Sequence, residues 1–150
     1  VWIYNTNVGH SNKKFTTAHR SILHATKQKE NNFFKNQVAE PYKNPNDKRI
    51  LGKIENGSPG RMPYSWMYYD LVKNVSKDKT MHACQIPLPL VEKLIKATTL
   101  IGETVGILFG GSGNELFLCE KLGRKFISAE INKPYFDMIV ERFNQNNYNY

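Results

Sequence analysis

The run Thr104-Val-Gly-Ile-Leu-Phe-Gly-Gly-Ser-Gly113 constrains this chain more than any other segment. Its apolar start, Thr104–Leu108, ends in a glycine-rich turn, Phe109–Gly113. A helix-like segment follows, and a second apolar run, Phe126-Ile-Ser-Ala-Glu130, closes on one carboxylate. Short apolar runs bounded by turn residues read as buried strands. Strand, turn, helix, strand predicts two parallel strands joined by a right-handed crossover. Glycines let a backbone approach a ligand with no Cβ in the way. An acid ending the next strand can accept hydrogen bonds from ribose hydroxyls. Gly113 and Glu130 are 17 residues apart, against about 20 in that geometry. Glycines alone would mark only a tight turn. With the strand before and the acid after, they predict a nucleotide-type cofactor site at two strand ends.

The same alternation extends around this core. Leu90–Thr99 carries apolar residues at 90, 91, 94, 95 and 97, the spacing of one helix face. Asn114–Leu122 reads as a helix stopped by Gly123, and Pro134–Asn144 as a helix with proline in its first turn. The tail Asn144–Tyr150 is polar and is expected to fray. At the other end, Val1–Tyr4 reads as a strand. Ser21–Thr26 reads as a second, paired with it through a long loop. Between Lys27 and Lys79 the periodicity dissolves into Asn, Pro, Gly and Lys, which form turns. A short basic helix over Lys48–Glu55 and an aromatic patch, Tyr64-Ser-Trp-Met-Tyr-Tyr69, are the exceptions.

Charge divides the chain in the same place. Residues 1–80 hold 14 Lys/Arg against 6 Asp/Glu, and residues 81–150 hold 7 of each, so the whole net charge of +8 lies in the first part. Segregated basic charge implies a polyanionic partner, most simply nucleic acid. Cys84 and Cys119 have no metal-like spacing and read as free thiols, so no metal is expected. No run reaches the ~18–20 apolar residues of a membrane span, and no signal peptide is visible. These features set a cytoplasmic location and no membrane partner as expectations. Val1 is not an initiator Met, and 150 residues is short for a complete enzyme of this type, so a truncated or processed polypeptide is expected.

Four segments in order carry a family resemblance: His82-Ala-Cys-Gln-Ile-Pro87, Leu90–Ala97, Phe109-Gly-Gly-Ser-Gly113 and Ala129-Glu-Ile-Asn132. Together they resemble the C-terminal portion of β-class DNA amino-methyltransferases of the restriction–modification type, which methylate adenine N6 or cytosine N4. The first segment is similar to that family's cofactor motif X, the third to motif I and the fourth to motif II. The resemblance implies an α/β fold, a partial Rossmann-like S-adenosylmethionine-dependent methyltransferase fold with an irregular basic target-recognition insertion. It implies three parts: residues 1–27 ending a catalytic subdomain, 28–80 forming the target-recognition region, and 81–150 forming the cofactor half. It also implies S-adenosylmethionine as cofactor and double-stranded DNA as partner. The implied cofactor-binding residues are His82, Gln85, Phe109, Gly110, Gly111, Ser112, Gly113, Glu130 and Asn132. Implied DNA-binding residues are Lys43, Lys48, Arg49, Lys53, Arg61 and Lys73.

Two departures stand out. Ile107 and Leu108 replace the Asp-Pro of motif I, and Asn114-Glu115 replaces its usual Thr-Thr. An isoleucine cannot accept hydrogen bonds from the cofactor amine, a loss of about 1.5–3 kcal/mol unless Glu115 or another chain supplies the acceptor. The family's catalytic [D/N/S]-P-P-[Y/F/W] motif is also missing; Glu40-Pro-Tyr42 and Met62-Pro-Tyr64 hold only a single Pro-Tyr each. The catalytic residues are therefore unknown, and a missing N-terminal half or a second subunit is expected to supply them. The leading expectation is methyl transfer to an exocyclic base amine, adenine N6 before cytosine N4, with this chain alone inactive. Non-catalytic DNA binding with a degenerate cofactor pocket is the alternative, and a different nucleotide-dependent enzyme the third.

Overall fold

A computed structural model describes residues 1–5, 8–73 and 79–145. Among these described residues ten elements follow one another: β1 (Trp2–Ile3), β2 (His19–Arg20), α1 (Lys35–Val38), α2 (Lys48–Glu55), β3 (Met67–Tyr68), α3 (Leu88–Thr98), β4 (Thr104–Ile107), α4 (Asn114–Lys121), β5 (Lys125–Ser128) and α5 (Lys133–Asn144). The strands form two sheets, one of order β2-β1-β3 and one pairing β4 with β5.

The glycine-turn region folds as its pattern predicts. β4 and β5 are parallel, with Thr104 opposite Lys125 and Ile107 opposite Ser128. The connection between them is α4, whose residues Leu116, Phe117, Leu118 and Cys119 are all buried. Four consecutive buried positions span every face of a helix turn, so the middle of α4 is enclosed, and its end, Glu120 and Lys121, is exposed. Gly123 follows its C-cap with φ +71°. α5 starts where Asn132 accepts the Tyr135 N–H, with proline in the first turn. The polar tail expected to fray lies, from residue 146 on, outside the described residues.

α3 joins the two halves of the core. Val91 and Ile95 pack with Leu118 and Cys119, and Val105, Ile107 and Phe126 close that cluster. Leu90, one position away, packs with Trp2 and Tyr4 under the other sheet, joined by Leu94, Met67 and Ile22. The helix thus buries two adjacent stripes against two different partners.

Expectations for the first eighty residues need correction. The partner of β1 is His19–Arg20, antiparallel, rather than Ser21–Thr26. The ladder ends there because the chain turns Ile22 into the Trp2 cluster and leaves Leu23 92 % exposed. The aromatic patch supplies β3, which pairs with β1 in parallel. The basic helix over Lys48–Glu55 forms as expected, with Asp47 capping the Arg49 N–H at 2.9 Å. A further short helix, α1, packs against α3 through the Phe34 N–H to Ala97 C=O bond. Among the described residues, no helix is long and apolar enough to cross a membrane.

Candidate functional site

The carboxyl ends of β4 and β5 meet at Glu130. Its Oε2 accepts the Gly111 N–H at 2.7 Å, and its Oε1 accepts the Asn132 N–H at 2.8 Å. One carboxylate therefore fastens the glycine turn after β4 to the loop after β5. Each oxygen keeps lone-pair capacity for a further donor. The N–H groups of Asn132 and Gly111 hold the Glu130 carboxyl below its ordinary 4.5, so it is ionised near neutrality.

The turn itself is tight. Gly110 donates to the Ala129 carbonyl and accepts from Gly113, both at 2.8 Å. A Cβ on Gly110 would lie 3.3 Å from Ser128 Oγ, and one on Gly111 would lie 3.2 Å from His82 Nε2. Gly111 also has φ +54°, a conformation that side-chain-bearing residues rarely adopt. The turn is thus wrapped by Ser128 and Glu130 on one side and by His82 on the other. His82 packs its ring edge-on against Tyr135, centroids 4.7 Å apart.

Two polar atoms beside this turn, His82 Nδ1 and Ser128 Oγ, are buried and meet no partner among the described residues. Buried polar groups are normally hydrogen-bonded, and each exception calls for a reason. A polar ligand cradled by the turn is such a reason, and a set of glycines, a carboxylate, a hydroxyl and an imidazole fits a nucleoside with an amino-acid tail.

The remaining expected cofactor residues take varied positions. Phe109 is 83 % exposed at the lip of the turn, while Ser112 is buried with its carbonyl accepting from Arg142. Gln85 is buried behind the turn; its carbonyl accepts from Thr80 N–H and Oγ1, and its amide reaches Asn114. Asn114 in turn donates to the Ile86 carbonyl at 3.0 Å. This chain of bonds moors the His82–Pro87 segment to α4, so Gln85 positions that segment. The Asn132 side chain is occupied by the cap of α5. Ile107 packs into the apolar core beneath β4. Glu115 lies in the first turn of α4, where burial raises its carboxyl; burial also raises the Cys119 thiol, with the nearby Glu115 charge adding to it. Residues i and i+4 share a helix face, so Glu115 is on the core side with Cys119.

Ser128, Tyr135 and Ile131 were not singled out by sequence. Period-2 alternation places Ser128 on the same side of its strand as Phe126, a signal that was there to read. Ile131, wholly exposed beside Glu130, carried one too, as an apolar residue in a polar loop. Tyr135 had none, because its contact with His82 spans unrelated segments.

The expected DNA residues partly converge. Lys43, Arg49, Lys53 and Arg61 line one cleft of about 410 Å3 beside α2, with Tyr42 and Ile50. Lys48 sits on α2 and Lys73 beyond β3; both are exposed and neither lines that cleft. Arg49 pairs with Asp47 at 3.0 Å and Arg61 with Glu40 at 2.6 Å. The two Pro-Tyr segments lie side by side, because Glu40 and Arg61 exchange backbone hydrogen bonds of 2.9 and 2.8 Å. The Glu40 carboxylate is committed to Arg61 and Lys93.

A parallel β–α–β unit with a glycine turn facing an acid defines a class of nucleotide-cofactor fold. Residues 1–141 match the N6_N4_Mtase family model, described as DNA methylase. The chain belongs to that DNA methylase family. It is 32 % identical over 145 residues to the Type II methyltransferase M.BglII of Bacillus subtilis, covering 94 % of this chain and 40 % of the relative. It is 29 % identical over 143 residues to the Type II methyltransferase M.HpaI of Haemophilus parainfluenzae, covering 95 % and 43 %. A solved structure of PvuII DNA methyltransferase (cytosine-N4-specific) aligns with a TM-score of 0.49 at 23 % identity, over 55 % of this chain and 32 % of that one. The chain thus spans less than half the length of these relatives.

Proposed function

We propose that this chain carries the cofactor half and the DNA-contacting region of a site-specific DNA amino-methyltransferase. Residues 81–150 would hold S-adenosylmethionine, residues 28–80 would contact double-stranded DNA, and residues 1–27 would end the catalytic part. The acceptor is an exocyclic base amine, adenine N6 before cytosine N4. The observation that carries this reading is the Glu130 carboxylate fastened to Gly111 at 2.7 Å beside two unpartnered buried atoms.

S-adenosylmethionine supplies an electrophilic methyl group when bound. Glu130 would accept the ribose hydroxyls with its remaining lone pairs. The turn Phe109–Gly113 brings backbone close to the amino-acid portion, with His82 and Ser128 offering hydrogen bonds to it. Phe109 and Ile131, both exposed, would offer the base of the cofactor an apolar wall. Gln85 and Asn132 hold the flanking segments in place. No residue of this chain is assigned to the target amine. An amino nitrogen attacks through its own lone pair, so Cys84 and Cys119 have no covalent role.

Ile107 favours a second reading, DNA binding with a degenerate cofactor pocket, since it is packed in the core where the family motif has an acid. Calorimetry of the 150-residue chain with S-adenosylmethionine separates the two. Micromolar binding that Glu130→Ala weakens by at least tenfold supports the first; no heat at millimolar cofactor supports the second.

A further inference from the structure

Away from the cofactor turn, Arg61, Tyr64 and Trp66 form an aromatic column. The Tyr64 and Trp66 rings are stacked, 13° from parallel with centroids 5.6 Å apart. The Arg61 guanidinium lies over Tyr64 at 4.6 Å from its centroid. Among the described residues, Trp66 meets no ring or guanidinium besides this tyrosine, and both rings are 52 % exposed.

The column is firmly mounted. Arg61 is tied to the Glu40 carboxylate at 2.6 Å and to the Glu40 backbone through two hydrogen bonds. Lys93 on α3 holds the other oxygen of the same carboxylate at 2.9 Å. On the far side of Trp66, the Met67 N–H is bonded to the Val1 carbonyl at 2.8 Å. Rings buried in a core are stabilised by removal from water. Here two large rings are held rigidly in register and left half in solvent.

Charge gives the column its direction. Lys43 and Arg61 line both the cleft beside the rings, of about 220 Å3, and the cationic cleft beside α2. A basic track that opens onto exposed stacked aromatics is the arrangement by which proteins hold unpaired strands, phosphates on the cations and bases on the rings.

We propose that the outer face of Trp66, backed by Tyr64, stacks an unpaired nucleobase of a DNA strand whose phosphates follow Lys43 toward Lys53. This rests on the DNA-contacting reading above and adds to it a base outside the duplex. Trp2 is 3 % exposed, so Trp66 is the tryptophan that reports solvent-side events. The 150-residue chain is titrated with two otherwise identical duplexes, one fully paired and one carrying a single bulged adenine, while tryptophan emission is followed. The bulged duplex is expected to quench Trp66 and to bind about tenfold more tightly. Trp66→Leu, followed by the anisotropy of a labelled duplex, should bind the bulged and the paired duplex with equal affinity. Tyr64→Leu should remove the advantage, and Lys43→Ala should weaken both duplexes alike. Equal affinities without quenching overturn the inference and leave the DNA reading standing. Failure to bind either duplex overturns both.

Discussion

Glu130 is held as an anion by neighbours that belong to the backbone, and this sets how the site responds to acid. The N–H groups of Asn132 and Gly111 depress its carboxyl below the ordinary 4.5. A depressed group adds stability above its unfolded value and loses it as pH falls through its folded value. Cofactor affinity should follow the same sign, flat from neutrality through the ordinary carboxylate range and falling only once pH drops through the depressed value of Glu130. Glu130→Gln should bind weakly at every pH with that acid limb gone, which calorimetry across the range would record. The acid and its glycines were legible in the sequence, because a strand-ending carboxylate and a glycine turn carry local signals. The unpartnered Ser128 and His82 atoms were not, because burial is a property of what packs around them. Gly60 is another residue whose role only packing reveals. It has φ +148°, and a Cβ there would sit 2.2 Å from the Glu40 carbonyl oxygen. That oxygen accepts the Arg61 N–H and cannot withdraw without breaking the bridge. Gly60→Ala should cost about 3 kcal/mol in urea denaturation.

At the level of elements, the helices and parallel strands of residues 88–144 were legible from apolar spacing, while α1 was not. Its four residues, Lys35–Val38, are too few to show a period. What fixes α1 lies far along the chain. Arg124, 6 % exposed, donates to Gln37 Oε1 at 2.8 Å, to the Thr99 carbonyl at 2.9 Å and to Leu122 O at 2.6 Å. Gln37 returns a bond to the same Thr99 carbonyl at 2.9 Å. A buried guanidinium satisfied by neutral acceptors joins α1, the end of α3 and the entry to β5. Sequence offers no hint of a contact spanning 87 positions. Arg124→Met fills similar space yet leaves the Gln37 and Thr99 oxygens short of donors. Each such loss costs ~1–3 kcal/mol. The variant should lose about 3 kcal/mol of stability, and amide exchange at residues 35–38 should quicken more than in α4.

For the molecule as a whole, the division of charge separates two sets of surface features even though the core packs across it. The neutral part carries the glycine turn and Glu130, and the basic part carries α2, the cationic cleft and the aromatic column. The asymmetry was plain in the sequence; that Lys43, Arg49, Lys53 and Arg61 share one cleft was not, since their spacing follows no period. Their surroundings also differ. Arg49 and Arg61 are paired with carboxylates, whereas Lys43, Lys48 and Lys53 are exposed and make no ion pair among the described residues. The lysines are therefore the readiest to exchange counterions for phosphates. If about four phosphates are neutralised, log K should fall against log salt with a slope of roughly −3.6. Lys53→Ala should make that slope shallower by about 1. Lys125→Ala removes an equally exposed charge from the neutral part and should leave the slope unchanged. Identical slopes for the two variants would mean that DNA feels the chain's total charge and that the cleft beside α2 is not where it binds.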